Sequence, residues 1–279
     1  MRLVVCGIAV MDYVHRMDAL PTEGAKYRSY GFERIGGGCA ANAAVGAARL
    51  GADVTLVSRL GTDQTGDELV AMLEAQGLTL AVARRGQTPL SSVMVDAQGE
   101  RMIVNFRGAD LPQTPLPIPT FDAALADCRW PAATEAVLRA ARAAGRPAII
   151  DGERDTSEAL AKLATHTVFS AGGLRDFTGL DALPGALADA AARLPGEVAY
   201  TDGPNGVTWG NGLHVPASKI APIDTLGAGD LWHGAFTLAL AAGSGLDVAS
   251  DFANRAAALK CSRPGGWEVY PTAAELEDP

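Results

Sequence analysis

The sequence predicts an α/β fold, a doubly wound and mostly parallel sheet flanked by helices, with a small β-sheet lid. Three observations predict it. Short apolar, strand-like runs alternate with Ala-rich helical stretches along most of the 279 residues, and such alternation implies parallel strands joined by helical crossovers. Two segments, 26–35 and 91–106, break the alternation with β-branched and aromatic residues. Two glycine-rich segments each open a helix, and sheets of this kind bind ligands at the carboxyl ends of their strands.

The elements follow in order. Residues 2–10 read as a buried first strand because Leu3-Val4-Val5-Cys6 is an apolar run. It is too short, and too soon interrupted by Asp12 and His15, to act as a secretory signal. A helix is expected over 39–50, a strand over 53–58 and a helix over 65–76. The stretch near 12–18 joins 26–35 and 91–106 in the small sheet, where Ala97-Gln98-Gly99-Glu100 marks a hairpin turn. These insertions span approximately 12–35 and 90–107 within a single unit covering 1–279. Four prolines between 112 and 119 make a stiff loop back to the core. Strands at 121–126, 147–151, 167–169 and 197–201 then alternate with helices at 132–144, 157–164 and 184–193. Long helices at 228–242 and 246–260 complete the chain.

Composition narrows the function. A formal charge of −9 with no Lys/Arg run argues against nucleic acid or an anionic membrane as partner. No apolar run approaches membrane-spanning length. Cys6, Cys39, Cys128 and Cys261 form no C-x-x-C pair and read as reduced thiols, so a cytoplasmic protein is expected.

Two motifs carry chemistry. In Asp224-Thr225-Leu226-Gly227-Ala228-Gly229-Asp230, three small residues leave the first-turn N–H groups of a helix uncovered. These donors sit at the positive end of the helix dipole and suit a phosphate or a developing oxyanion. Asp230 beside them is poorly placed to hold an anion but well placed to take a proton from an attacking hydroxyl. The competing reading is an acidic helix cap. In Gly36-Gly37-Gly38-Cys39-Ala40-Ala41-Asn42, the glycines let backbone approach a ligand and Asn42 can point into the same space. Gly36-x-Gly38-x-x-Ala41 also fits a loose dinucleotide fingerprint, but the strand before it is polar and no acidic residue ends the strand at 53–58.

Together these segments, 36–50 and 224–237, resemble the two signature regions of the PfkB (ribokinase-like) family of sugar kinases, and the element order is similar over essentially the whole chain. The resemblance implies ATP-dependent phosphorylation of a sugar hydroxyl with Mg²⁺ arriving on ATP. It makes Asp230 the catalytic base and Gly227, Ala228 and Gly229 the anion hole. Asp12, placed at the end of the first strand, would bind sugar hydroxyls, with Gly37, Gly38 and Asn42 in the sugar motif. Thr201, Gly203 and Gly206 would meet the nucleotide along with Gly227, and Asn254 lies on the helix that covers the adenine. The likeness lapses at the Asn-x-x-Glu motif that steers Mg²⁺: here Phe169-Ser170-Ala171-Gly172-Gly173-Leu174 carries neither acid nor amide. Asp151 and Glu153 are nearby metal-site substitutes of the right charge.

Within the family the closest likeness is to the sulfofructose kinases, through Leu20-Pro21-Thr22-Glu23, Gly99-Glu100-Arg101 and Leu125-Ala126-Asp127-Cys128-Arg129-Trp130. That likeness puts Lys26, Asn105 and Arg129 around a sulfonate and makes 6-deoxy-6-sulfofructose, phosphorylated at O1, the expected substrate. Alternatively Lys26 is solvated and Arg129 pairs with Asp127 or Glu135. Asn42 is more like a ketohexokinase residue, so fructose or another sugar stays open. A nucleotide-binding sensor without kinase activity and a dinucleotide oxidoreductase are readings of other classes. An exposed lid sheet makes a homodimer the expected assembly.

Overall fold

The computed structural model describes residues 1–277. Among them, β1 (Arg2–Cys6), β4 (Asp53–Leu60), β5 (Thr79–Arg84), β8 (Ala123–Ala126), β9 (Ala148–Gly152), β10 (His166–Ser170), β11 (Glu197–Thr201), β12 (Val207–Trp209) and β13 (His214–Val215) form one sheet in the order β13-β12-β11-β10-β9-β8-β1-β4-β5. All its pairings are parallel except those of β12 and β13. A second sheet, β3-β2-β6-β7, is built from β2 (Val10–Arg16), β3 (Gly31–Gly37), β6 (Leu90–Val95) and β7 (Arg101–Phe106). This is the expected lid, assembled from both insertions.

Helices cover both faces of the large sheet because its central strands are apolar on both. Leu3 and Val5 of β1 face one core with α1 (Cys39–Arg49), α7 (Ala228–Ala241) and α8 (Leu246–Cys261). Val4 and Cys6 face the other with α3 (Pro131–Ala143). Alternation along a single strand therefore feeds two hydrophobic layers, as a buried parallel sheet requires. Around them lie α2 (Gln64–Ala75), α4 (Glu158–Ala161), α5 (Ala171–Thr178), α6 (Leu183–Arg193) and α9 (Ala273–Glu277).

The expected strand 2–10 is two strands. The chain breaks at Gly7, where a Cβ would lie 2.1 Å from Asp127 Oδ2, and Val10 starts β2 of the lid. Asp12 therefore belongs to the lid, not to the end of the first core strand. Five elements had no sequence signal strong enough to read: β5, β12, β13, α5 and α9. The start of α5, Ser170-Ala171-Gly172-Gly173, looks like a loop, but Ser170 Oγ accepts the Gly173 N–H at 3.0 Å and caps a helix. That helix closes on Gly179 in the left-handed conformation.

The winding of the large sheet locates the cleft. From β1 the chain steps outward to β4 and β5, then returns to β8 and proceeds the other way to β11. The strand order reverses between β1 and β8, and ligands bind where that happens. There Asp127, just after β8, is buried and accepts the N–H groups of Ile8 (2.8 Å) and Arg129 (2.8 Å), tying the two strand ends together.

The helices that carry both sequence motifs, α1 and α7, cross in close contact. A Cβ on Gly234 would stand 2.3 Å from the Ala43 carbonyl oxygen, and one on Gly46 would stand 2.4 Å from Leu231 Cδ1. The first obstacle is backbone, so it cannot swing aside. Gly234→Ala is expected to force the helices apart at a cost of about 1–3 kcal/mol, the usual range for overpacking. Gly185→Ala on α6, where nothing lies within 4 Å of a new Cβ, is expected to be neutral or stabilising. Thermal unfolding of the two variants checks this; equal Tm values would mean the crossing is not tight.

Candidate active site

The cleft lies between the lid, the switch point and the N-termini of α1 and α7. Lid register supplies one wall: Asp12 pairs with Ser91 on β6, and Ser91 with Asn105 on β7, so the three share a row on one face. A cavity of about 200 Å³ is lined by that row together with Gly38, Asn42, Arg129, Gly227 and Asp230. Gly37 closes β3 beside it, so near Asp12 that a Cβ would lie 2.2 Å from Asp12 Oδ2. Most of the expected sugar-site residues therefore converge. Lys26 does not: it is exposed on the segment between β2 and β3 and is absent from the cavity wall. The predicted three-sided anion clamp is thus incomplete, because the chain leaving β2 carries Lys26 outward.

Gly227 is the N-cap of α7 and adopts φ 72°. Only glycine suits it twice over, since a Cβ would also stand 2.3 Å from Tyr270 Oη. This left-handed turn starts the helix abruptly. The Ala228 N–H donates to Thr225 O at 3.3 Å. Among the described residues no backbone carbonyl accepts from Gly229 or Asp230, which leaves their N–H groups to an incoming anion.

Asp230 is held from one side. Asn42 Nδ2 donates to Asp230 Oδ2 at 2.7 Å, and Trp267 Nε1 donates to Asn42 Oδ1 at 2.7 Å. Asn42 is buried, and its role here is to aim the carboxylate rather than to face the ligand alone. Burial pushes the Asp230 carboxyl up to about 6, against the hydrogen bond from Asn42 and the charge of His233, which lower it. A carboxylate tuned this close to neutrality is suited to general-base work.

His233, one turn along α7, was not singled out in the sequence. Its Nδ1 lies 2.9 Å from Gly229 O and its Nε2 3.1 Å from Val168 O. Carbonyl oxygens only accept, so this geometry favours a proton on both ring nitrogens. Burial alone would lower its pKa; the Asp151 charge and the two carbonyl bonds raise it. Nε2 is also 3.5 Å from Asp151 Oδ1. A lone histidine in an apolar helix gives no hint of this, because its partners come from β9 and β10.

The metal-site expectation changes accordingly. Asp151 is buried and committed to His233, and burial pushes its carboxyl up to about 7, with His233 pulling the other way. Donor atoms of Cys39, Asp151 and Asp230 lie within 4.8 Å of one another. Burial holds the Cys39 thiol far above its ordinary range, so it stays protonated and is a poor ligand for a hard cation. Glu153 has no side-chain hydrogen bond or ion pair among the described residues, and its charge reaches Asp230. The oxygen donors fit a hydrated Mg²⁺ shared with phosphates, with Glu153 the freer carboxylate.

On the nucleotide side, Thr201 ends β11 and Gly203 opens the short turn Gly203–Asn205. Gly206 (φ 84°) packs against Val215 O. Asn254 is buried on α8: its oxygen accepts from Trp232 Nε1 (2.8 Å), and its amide donates to Val215 O (3.1 Å) and Pro216 O (3.0 Å). Both amide hydrogens are thus used inside the protein, where they tie α8 to the end of β13. Two further residues were missed. Lys260, fully buried, donates to Asp224 O at 3.1 Å, and lid Arg101 bonds Asp224 Oδ1 at 3.0 Å. Asp224 thus links the lid to the loop that starts α7.

A short turn after β11, a carboxylate at a helix N-terminus and a lidded cleft agree with what the chain matches. Residues 1–273 fit the model of the pfkB family of carbohydrate kinases. The chain is 28% identical to the ribokinase of Bacillus subtilis, covering 99% of this chain and 98% of that one. It is 35% identical to the bifunctional protein HldE of Azorhizobium caulinodans over 88% of this chain but only 57% of that longer protein. Among solved structures, a presumed ribokinase from Agrobacterium tumefaciens superposes with TM-score 0.92 at 35% identity, covering 99% of this chain and 96% of that one. The Arabidopsis thaliana ribokinase complexed with ribose and ATP superposes with TM-score 0.84 at 25% identity, over 99% and 97% of the two chains. The chain belongs to the pfkB family of carbohydrate kinases.

Proposed function

We propose that this single ribokinase-like unit is a cytoplasmic enzyme that transfers the γ-phosphate of ATP to a hydroxyl of a small sugar, with Asp230 as base. One observation carries the reading: Asp230 is aimed by Asn42 at 2.7 Å into the cavity that the lid row Asp12–Ser91–Asn105 closes. A sugar held by that row presents a hydroxyl to the carboxylate. The free N–H groups at the start of α7 then stabilise the charge on the transferring phosphoryl group. Thr201, Gly203 and Gly206 shape the approach of the nucleotide.

Mg²⁺ bound with ATP would neutralise phosphate charge, with Glu153 and, through water, Asp151 as its protein partners. His233, whose pKa the Asp151 charge and the two carbonyl bonds raise, would offset negative charge on Asp151 and Asp230 when protonated. For the substrate we favour an anionic ketose, 6-deoxy-6-sulfofructose phosphorylated at O1, since Asn105 and Arg129 border the cavity. Lys26 contributes nothing to that choice from its present position. Fructose is the neutral competitor.

Asp230→Asn preserves size and much of the hydrogen bonding but removes the base. Turnover is expected to fall on the order of 10²–10⁴-fold with ATP still bound. In the wild-type protein the base works only when deprotonated, so kcat/KM is expected to rise with pH through about 6, the value to which burial pushes Asp230, and then level off. A variant turning over at the wild-type rate, or a flat profile between pH 5 and 7, would return Asp230 to a capping role.

The lid also offers a face away from the cleft. Phe32, His15, Met94 and Met102 form one row across it and Val104 stands in the next. Phe32 and Val104 are 54% and 59% exposed, and β3 and β7 are open edges. An apolar, edge-bounded sheet face is an aggregation hazard unless covered, and we propose a second copy of this chain as the cover. Sedimentation is expected to give a dimer that Val104→Asp converts to monomer; a wild-type monomer at micromolar concentration refutes it.

A further inference from the structure

Lys260 is a buried charge that the proposed chemistry does not touch. It lies in the last turn of α8 with its side chain wholly enclosed, a place that lysine almost never takes unless it is paired. Burial draws its ammonium below the ordinary lysine range, while the charge of Asp224 pulls the other way. An apolar filler would avoid that cost, so the position needs the donor.

Lys260 holds one residue. Its Nζ donates to the Asp224 carbonyl oxygen at 3.1 Å and lies 3.5 Å from Asp224 Oδ2. The next residue of α8 grips the other side of that peptide: the Asp224 N–H donates to Cys261 O at 3.2 Å, beside the Ile223 N–H at 2.7 Å. Both backbone groups of Asp224 are thus pinned to consecutive residues at the end of one helix. The carboxylate carries that placement forward, because Oδ1 accepts the Leu226 N–H at 2.9 Å and shapes the turn into Gly227. Just beyond the turn stand the N–H groups of Gly229 and Asp230, which no backbone carbonyl among the described residues accepts. Lid Arg101 bonds the same Oδ1 at 3.0 Å. Two cations therefore share one carboxylate, and an excess of positive charge beside the turn favours an arriving polyphosphate.

We propose that Lys260 is a positioning residue for phosphoryl transfer: it clamps Asp224, with Arg101 as its partner across the carboxylate, and so fixes where the N–H groups at the start of α7 meet the terminal phosphate. The proposal rests on the ATP-dependent reading of the cleft. Lys260 is absent from the cavity wall, so it acts through Asp224 and not on the ligand. The leverage is geometric, since donors displaced by a fraction of an ångström no longer match the transferring group.

The test compares two nucleotides that differ by the terminal phosphate. Isothermal titration with ADP and with the non-hydrolysable β,γ-imido analogue of ATP, each with Mg²⁺, is run on wild-type protein, Lys260→Met and Arg101→Gln. Methionine keeps the side-chain length, and Asp224 retains Arg101 and the Leu226 N–H, so no bare charge is left behind. Lys260→Met is expected to bind ADP within about twofold of wild type but the analogue about tenfold more weakly, the scale of one charge-assisted contact. Its Tm should stay close to that of wild type, and kcat should fall about ten- to hundredfold with KM for the sugar unchanged. Arg101→Gln, at a lid surface, is expected to move the analogue-to-ADP ratio the same way by a few-fold. Equal weakening of both nucleotides in Lys260→Met, or a lower Tm with the ratio unchanged, would make Lys260 a core residue only and overturn the proposal. If Lys260→Met yields no folded protein, Arg101→Gln decides alone, and an unchanged ratio there overturns it. Wild-type protein without acceptor-dependent turnover, but with the ratio falling in both variants, would instead count against the kinase reading alone.

Discussion

The close crossing of α1 and α7 is the constraint on which the site depends. Gly234 lets the two helices approach at a distance a β-carbon there would not permit, and Gly46 leaves room for Leu231. That approach sets the amide of Asn42 2.7 Å from Asp230 and fixes the sugar-motif helix against the phosphate-motif helix. Trp267 and Tyr270 lock the far side, one bonding Asn42 and the other filling the space beside Gly227. In the proposed reaction a carboxylate aimed this firmly would cost little reorganisation when a hydroxyl arrives, and positioning of that kind is the usual source of catalytic advantage in phosphoryl transfer.

Charge balance around that crossing is the second constraint. Asp230, Asp151 and Glu153 bring three carboxylates to a cleft that must receive a polyphosphate. Without compensation the carboxylates would repel it, and their own pKa values would climb further. His233 supplies the compensation from within α7, doubly bonded to carbonyls of two different elements and close to Asp151. Its place 3.5 Å from Asp151 Oδ1 gives that buried carboxylate a neighbour able to carry positive charge. The lid is tied into the same region through Arg101 and Asp224, so closing the cleft and ordering the start of α7 involve the same residues.

How much of this could be read from the chain follows a physical rule. Gly227–Asp230, Gly38 and Asn42 were legible because each acts within a local motif whose residues are neighbours in sequence. The parallel sheet was legible from strand–helix alternation. What stayed hidden depends on partners distant in sequence. The setting of His233 needs Val168 and Asp151, and the internal hydrogen bonds of Asn254 need Trp232 and Val215. Lys26 suited an anion by type and position, but the segment between β2 and β3 leaves it exposed and outside the cavity lining. Strand β2 was misread because Gly7 ends β1 through a contact with Asp127, which no local pattern reveals.

The central claim is that this cleft moves a phosphoryl group onto a sugar. It is tested most directly by following ADP formation and the ³¹P spectrum of the products with ATP, Mg²⁺ and a panel of 6-deoxy-6-sulfofructose, fructose 6-phosphate, fructose, ribose and adenosine. ADP formation is expected to require one of these acceptors, together with a new phosphomonoester on it in equal amount. ATP that binds with no acceptor-dependent turnover across the panel would contradict it, and the fold would then serve as a nucleotide-binding sensor.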